Sequence, residues 1–430
     1  MGQQQEQQPL HQHLPHHAPP GKETASATDL HHPLLLADPP QMVFDAAPPR
    51  FVDAPAAVAA EHARSAIVAS PSGKVASDAA VSAGNGVPAN VARSGEKLAA
   101  VASSSLANLP RRILQFSAVS LYSSLLFVNI AVLSLLVYNW RVIWPFALCY
   151  FSYIFLIDSA TPYTGGTDRW AFIREWSFWR GFGDYFGAEL VKTAELDPAK
   201  NYIFGYHPHG IYAYGLFPNF ITQYSGFAKK FPGITLRFST LDVNWSIPIW
   251  REIQMGFGTV SVSAKSLKHV LTKKGPGWSA LIVIGGADEA LLAYPHTNDI
   301  ILNRRKGFVK VAIQTGASLV PVFTFGENDL FWQVNDESAP AIRKAQQRLA
   351  KVLTYSLPIY WGRLGMFFLP RKTRLVSVVG KPIDVVQNDN PTREEIAELH
   401  ARYVQELIAL FNAHKDTYIP HRIRDLNIVR

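Results

Sequence analysis

The dominant feature of the hydrophobic pattern is a run of 26 residues without a charged side chain, from Ile113 to Tyr138. As a helix rising about 1.5 Å per residue, it exceeds the roughly 30 Å hydrocarbon core of a bilayer. Asn139-Trp140-Arg141 interrupts it, and a second uncharged run follows from Val142 to Ile157, closed by Asp158. That second run is short for a span, at about 24 Å of straight helix, and Pro145 stands near its start. The pattern predicts a tight transmembrane helical hairpin with both ends on one side. The alternative is a single span followed by an interfacial segment; a buried core helix is disfavoured by so long an uncharged run. Arg111 and Arg112 precede the first run, with Arg93 and Lys97 upstream. Positive charge there favours a cytosolic N-terminus, and a hairpin then leaves the following body cytosolic too.

Beyond residue 158 the pattern changes. Short β-rich runs at Tyr202–Tyr206, Ile234–Phe238, Leu281–Ile284, Leu319–Phe325 and Leu375–Val379 alternate with helical patterns at Ala264–Lys273, Phe308–Thr315 and Ile342–Leu353. The clearest helix is the last. Thr392 and Glu395 form a capping-box pattern, and Ile396, Leu399, Tyr403, Leu407, Leu410 and Phe411 recur at helical spacing. Strand–helix alternation predicts an α/β layer fold. Tyr360–Leu369, apolar and aromatic and followed by Arg371, Lys372 and Arg374, suits a lipid headgroup boundary and a buried core segment equally well.

Ahead of the hairpin the apolar pattern disappears. Residues 1–112 hold 13 of the 29 prolines but only two aromatics, Phe44 and Phe51. Such a chain lacks the apolar surface to offset folding entropy, so residues 1–105 are expected to be a disordered tail, 106–158 the hairpin and 159–430 the catalytic body. The start has neither the basic residues nor the apolar core of a secretory signal, and Glu6 stands where myristoylation wants Ser or Thr. The histidines at 11, 13, 16 and 17 could hold a metal weakly, but a polar low-complexity stretch is the favoured reading. Charge follows the same division. The chain is +8 overall, with 8 basic against 9 acidic residues up to position 112, so the remainder carries +9. The single cysteine, Cys149, excludes a disulfide scaffold or Cys-cluster zinc site. Within the second apolar run it is a poor nucleophile.

Three stretches carry candidate chemistry. In Tyr202–Gly210 an apolar strand runs into His207-Pro208-His209-Gly210. Pro208 stiffens the turn, and Gly210 admits close backbone approach. Two imidazoles are thereby presented at a strand's C-terminal end, where open α/β sheets place their sites; a His-X-His pair can also ligate metal. In Leu281–Glu289 a second apolar strand ends in Gly285-Gly286 and the acids Asp288 and Glu289. A carboxylate accepting a histidine Nδ1–H fixes the tautomer and supports the imidazolium, so Glu289 is a candidate partner of His209, against the plainer alternative of a solvated loop acid. Arg304-Arg305-Lys306-Gly307-Phe308, with Lys310, precedes a predicted helix. It is either a phosphate cradle or a solvated basic patch. Leu319–Asn328 is another strand ending in polar groups, Glu327 and Asn328. No Gly-X-Ser-X-Gly elbow or P-loop occurs, and Gly181-Phe182-Gly183 lacks the remainder of a dinucleotide fingerprint. Asn244-Trp245-Ser246 is a glycosylation sequon that a cytosolic body leaves unused.

Taken in order, His207-Pro208-His209-Gly210, Gly285-Gly286-Ala287-Asp288-Glu289, Arg305–Phe308, Val320-Pro321-Val322 with Phe325-Gly326-Glu327, and Val379–Ile383 with Pro391-Thr392 resemble the type-2 diacylglycerol acyltransferases, as does the hairpin upstream. The resemblance runs from about residue 112 to the end, and the family includes monoacylglycerol and wax-alcohol acyltransferases. Gly187 departs from it, standing where Tyr-Phe-Pro is frequent.

The resemblance implies a glycerolipid-acyltransferase-like mixed sheet with flanking helices. It implies acyl-CoA as co-substrate, diacylglycerol as acceptor and triacylglycerol as product. His209 would be the general base, with Glu289 orienting it and His207 as a positioning or substrate contact. Pro208, Gly210, Gly285, Gly286, Arg305, Lys306, Gly307, Phe308, Lys310, Glu327 and Asn328 would line the substrate. It implies no metal and no resident cofactor. The positive body would then face coenzyme A phosphates and membrane headgroups rather than nucleic acid. An endoplasmic-reticulum membrane, lipid-droplet surfaces and a homo-oligomer are further expectations. Different classes compatible with the pattern are a metal-dependent lipid hydrolase using His207, His209 and Glu289 as ligands, and a non-catalytic lipid-droplet scaffold.

Overall fold

A computed structural model describes residues 108–334, 339–353 and 358–429; the expected tail, residues 1–105, lies outside the described residues. In chain order the strands are β1 (Glu189–Lys192), β2 (Tyr202–His207), β3 (Thr235–Thr240), β4 (Thr259–Ser261), β5 (Trp278–Val283), β6 (Asp299–Ile300), β7 (Ser318–Phe325), β8 (Trp332–Gln333), β9 (Tyr360–Trp361), β10 (Val376–Val379) and β11 (Asn427–Ile428). The helices that matter below are α1 (Leu109–Tyr138), α2 (Trp140–Ser152), α3 (Arg180–Phe186), α4 (Trp250–Gly256), α5 (Ala264–Lys273), α6 (Ala287–Ala290), α7 (Gly307–Thr315), α8 (Pro340–Leu353) and α9 (Arg393–Tyr418).

Seven strands form one mixed sheet in the order β1-β10-β7-β2-β5-β3-β4. All neighbours are parallel except β10 against β7. β2 is central and buried along its whole length, which is why it reads as an unbroken apolar run. Its side chains alternate between two cores. Tyr202, Phe204 and Tyr206 face an aromatic layer that includes Phe182, Tyr214 and Phe217 and is covered by α1 and α3. Ile203 faces the other side, where α5, α7 and α9 pack through Leu267, Val309, Leu407 and Phe411. The α/β layering expected from the alternation of patterns is thus the architecture found.

Most predicted elements shift by one to three residues. The edge strands β1 and β4 and the short helix α4 carry too few residues to stand out as patterns. The α9 capping box forms as expected: Glu395 N–H donates to Thr392 Oγ1 at 3.1 Å, and Thr392 N–H donates to Glu395 Oε2 at 2.7 Å.

The expected hairpin is a pair of consecutive apolar helices. The second is longer than its uncharged run suggests, because helical structure already begins at Trp140 and α2 continues as a π-helical turn, Tyr153–Ile157. By length and composition, Leu109–Tyr138 and Trp140–Tyr163 are each sufficient to cross a membrane. Both are anchored to the body. Tyr122 packs among Phe182, Tyr214 and Phe217, Asn129 Nδ2 donates to Pro248 O at 3.2 Å, and the Tyr150 hydroxyl donates to Glu252 at 2.6 Å. Cys149 is exposed on α2. Tyr360–Leu369 divides between its two expectations: Leu369 is buried, whereas Leu364 (78% exposed) and Phe367 (43%) form an apolar tip at the surface.

Candidate active site

The site forms where β2 ends at the middle of the sheet, with β5 and β7 beside it. His207 and His209, two residues apart, take different environments. His207 is the last residue of the strand and points into the α9 core. It is fully buried, with Nε2 3.1 Å from the Tyr403 hydroxyl. That hydroxyl donates to the Gly205 carbonyl at 3.1 Å. Nε2 therefore carries the proton, and Nδ1 is left buried without a partner. Burial lowers the imidazole pKa to about 3, so His207 is neutral. Gly205 permits this contact, because a Cβ there would collide with the Tyr403 hydroxyl.

His209 stands past a cis His207–Pro208 bond and is partly exposed. Its Nδ1 lies 3.1 Å from the Gly210 carbonyl. A carbonyl only accepts, so Nδ1 carries the proton and the Nε2 lone pair is available for chemistry. Burial lowers the His209 pKa below its usual value; the Gly210 carbonyl opposes this, and the Arg305 charge reinforces it.

The expected carboxylate–imidazole contact is replaced by another. Glu289, buried on α6, accepts the backbone N–H of His209 through Oε1 at 2.6 Å and that of Ile301 through Oε2 at 2.6 Å. It ties the turn carrying His209 to the segment after β5, and its expected Nδ1 partner role passes to the Gly210 carbonyl. Burial raises the Glu289 pKa to about 7, against the lowering effect of those two N–H groups.

Glu327, just past β7, does the same for the next stretch of the turn. It accepts from the Tyr206 hydroxyl (2.9 Å), Tyr214 N–H (2.6 Å) and Gly215 N–H (2.8 Å). Burial raises it also to about 7. Gly210, at φ 57°, lies against the Glu327 side chain, and any Cβ would meet it.

The basic block also divides. Arg305 donates to the Gly285 carbonyl (2.9 Å) and Asp288 (3.2 Å), while Arg304 pairs with Asp288 at 2.7 Å. These two arginines brace the loop of Gly285, Gly286 and Glu289, a task the charge pattern did not reveal. Lys306, Gly307 and Lys310 are exposed at the start of α7, and Phe308 is buried against Tyr403. Asn328 Nδ2 donates to Thr297 O at 3.0 Å. Pro208, Glu327 and Asn328 share the wall of a cleft of about 130 Å³ with His296, Asp329 and Arg422. His207, His209 and Glu289 do not form a ligand set: the His207 Nε2 proton faces Tyr403, and both Glu289 oxygens receive backbone donors. Among the described residues no group of three His, Cys, Asp or Glu side chains converges as metal ligands.

Tyr403 and Tyr206 were legible only as apolar positions. Their hydroxyls, which do the positioning, have no signature in a hydrophobic pattern. Tyr214 and Asp288 likewise needed the fold.

A partly exposed neutral imidazole at the end of a central strand, held by buried carboxylates, is an arrangement for general-base chemistry on a hydroxyl. The diacylglycerol acyltransferase family model matches residues 135–428. The chain is 44% identical over 322 residues to 2-acylglycerol O-acyltransferase 1 of Bos taurus, covering 72% of this chain and 94% of that one. It is 39% identical over 326 residues to diacylglycerol O-acyltransferase 2A of Umbelopsis ramanniana (74% and 91%). It is 42% identical over 289 residues to diacylglycerol O-acyltransferase 1 of Schizosaccharomyces pombe (66% and 83%). Among solved structures, the 1-acyl-sn-glycerophosphate acyltransferase of Thermotoga maritima aligns at 13% identity and a TM-score of 0.33, over 69% of this chain and 96% of that one. The protein is an acyltransferase. It belongs to the diacylglycerol acyltransferase family.

Proposed function

We propose that the protein transfers an acyl group from acyl-CoA to the free hydroxyl of diacylglycerol, giving triacylglycerol, with His209 as general base. The observation that carries this is the free Nε2 lone pair of His209 at the end of β2, on a turn fixed through Glu289. Nε2 takes the hydroxyl proton as the oxygen attacks the thioester carbonyl. A C–O bond forms, the C–S bond breaks, and the proton passes to the departing thiolate. The thiol leaves readily, with a pKa near that of cysteine at about 8.5. The acceptor attacks directly, so the step uses no resident cofactor. Backbone N–H groups of Gly210 and Gly286 are candidates for the oxyanion, Lys306 and Lys310 for coenzyme A phosphates, and Pro208, Glu327 and Asn328 for the substrate wall. Gly285, Arg305 and Phe308 support the site from behind, and Gly307 lies exposed beside Lys306. His207 positions the strand end rather than touching substrate.

The two apolar helices seat the enzyme in the membrane that dissolves both acyl chain and acceptor, with residues 159–430 as the cytosolic acyltransferase domain. The endoplasmic reticulum and lipid-droplet surfaces are the compartments this chemistry suits. A monoacylglycerol acceptor is the second reading, supported by the 44% identity to a 2-acylglycerol acyltransferase.

Full-length protein and His209→Ala, assayed with labelled acyl-CoA against diacylglycerol, monoacylglycerol, a long-chain alcohol and a sterol, test both. Triacylglycerol formation lost in the variant, with membrane association retained, is the expected result. Activity surviving in purified His209→Ala refutes the base, and a preference for monoacylglycerol selects the second reading.

A further inference from the structure

Away from the His209 turn, a recess of about 460 Å³ opens where α1 meets the segment after β9. Three cations line it: Arg112 in the first turn of α1, Arg363 and Lys372. Phe116 and Leu369 supply apolar wall, and Tyr185 closes the base. The Tyr185 hydroxyl donates to Pro370 O at 2.6 Å, and the Arg363 guanidinium opposes the raising effect of burial on the Tyr185 pKa.

What separates these cations from their neighbours is pairing. Arg111, one residue before, is bound to Asp184 at 3.2 Å, and Arg374 is bound to Glu189. Arg112, Arg363 and Lys372 form no ion pair with any described residue. Three like charges around one recess repel one another, and an anion relieves that repulsion.

The surroundings define the rest of the ligand. Arg112 immediately precedes the uncharged run of α1. About 22 Å further along that helix, Phe127 contacts Phe367 with ring centroids 5.0 Å apart. The exposed tip of Leu364 and Phe367 thus lies beside the apolar length of α1, while the cations sit at its polar end. Charge at one end and an apolar track at the other is the shape of an amphiphile with an anionic head.

We propose that this recess binds the phosphate of an anionic membrane phospholipid, with an acyl chain following α1 toward Phe127 and Phe367. The proposal rests on the membrane seating of α1, but not on the acceptor or on His209, so a binding measurement tests it independently of catalysis.

Full-length protein in nonionic detergent is titrated with a fluorescent short-chain phosphatidic acid, with phosphatidylcholine of the same chain length as control. Wild type should bind the phosphatidic acid more tightly than the phosphatidylcholine. Arg363→Gln with Lys372→Gln should weaken binding about thirtyfold, from two contacts of about 1 kcal/mol each at 1.4 kcal/mol per tenfold. Lys229→Gln with Lys230→Gln, which removes the same charge from residues that do not line the recess, should leave binding unchanged. Arg112→Gln, an exposed substitution, gives a second reading should the double variant unfold, and should weaken binding about fivefold. Unchanged phosphatidic acid binding in the folded recess variants overturns the proposal. So does free coenzyme A displacing phosphatidic acid from wild type at the same site, which assigns the recess to the acyl donor.

Discussion

Replacing Glu289 by glutamine separates two ways a buried acid can serve His209, the proposed base. In the structure its two oxygens hold the backbone N–H groups of His209 and Ile301, each at 2.6 Å. Glutamine keeps one carbonyl oxygen and turns the other position into a donor facing a donor. One charge-assisted hydrogen bond, worth about 1.5–3 kcal/mol, is lost. Against this, burial has raised the Glu289 pKa from 4.5 to about 7, so above pH 7 the folded protein bears a cost of about 3 kcal/mol for ionising it, at 1.36 kcal/mol per unit. The two terms nearly cancel, and Glu289→Gln should unfold within about 2 kcal/mol of wild type at pH 8. The sign then fixes the trend. A carboxyl with a raised folded pKa contributes stability below 4.5 and loses it as pH rises through 7. The variant lacks this titration, so its relative stability should worsen as pH falls from 8 to 5.

Activity should not show such cancellation. A turn released at one of its two ties misplaces the imidazole, and a shift of about 1 Å costs up to about 10²-fold in rate. We expect kcat to fall about 10- to 100-fold. Protonating Glu289, whose raised pKa lies at about 7, loosens the same tie, so the wild-type kcat/KM should already fall below pH 7. The variant lacks that titration and should keep only the limb of His209, whose pKa burial and Arg305 hold below its usual 6.5. The assay is acyl transfer from labelled acyl-CoA between pH 5 and 9, with thermal unfolding measured alongside. A variant that keeps the wild-type limb near pH 7 would mean that the ionised carboxylate does not hold the turn, and the backbone-tie argument would fail. An unchanged kcat would remove Glu289 from the positioning of the base.

Tyr403→Phe strips His207 Nε2 of its partner and takes a donor from the Gly205 carbonyl; about 1–3 kcal/mol of stability should be lost, and an unfolding midpoint equal to wild type refutes the contact. His207→Gln retains an N–H toward Tyr403 but cannot titrate. Because the folded His207 pKa is depressed to about 3, wild type loses stability as pH falls below 6.5, and the variant's stability-against-pH slope between pH 6 and 4 should differ from wild type by about 1.4 kcal/mol per unit; identical slopes would mean His207 is not buried as a neutral ring. Glu327→Ala leaves the Tyr206 hydroxyl and two backbone N–H groups without their acceptor, so a loss of about 3–5 kcal/mol with a sharp fall in kcat is expected, and a stable, fully active variant would show that the turn holds its shape unaided.

The sheet was legible because β2, β5, β7 and β10 are buried on both faces and so read as largely apolar runs bounded by polar turns. α9 was legible because its period and its cap agree. β1 and β4 were not, since an edge strand of three or four residues leaves no periodic trace. At the site, the motifs located the turn, but the partner of each polar group was hidden. Glu289 is adjacent to glycines in sequence and to the His209 backbone only through the parallel pairing of β2 with β5. Arg305 reads as free charge in a basic block until Asp288 and the Gly285 carbonyl are brought to it. Apolar periodicity fixes where a tyrosine sits, not what its hydroxyl reaches.

One connection joins the apolar helices to the chemistry. The Ser123 hydroxyl on α1 lies 2.7 Å from the Tyr214 hydroxyl. Tyr214 donates its backbone N–H to Glu327, and Glu327 also holds the Tyr206 hydroxyl on β2. The Tyr214 side chain, packed by Tyr122, Phe182 and Phe186, therefore links the first apolar helix to the turn that carries His209. Separate anchoring and catalytic modules would need only a loose linker at residue 158. Instead α1 supplies part of the layer that covers one face of the sheet, so detaching it would expose the aromatic core against which the turn is held. On the proposed function, the acyl chain and the acceptor both reside in lipid, and a site built partly from α1, seated there, would meet them without a separate transfer through water.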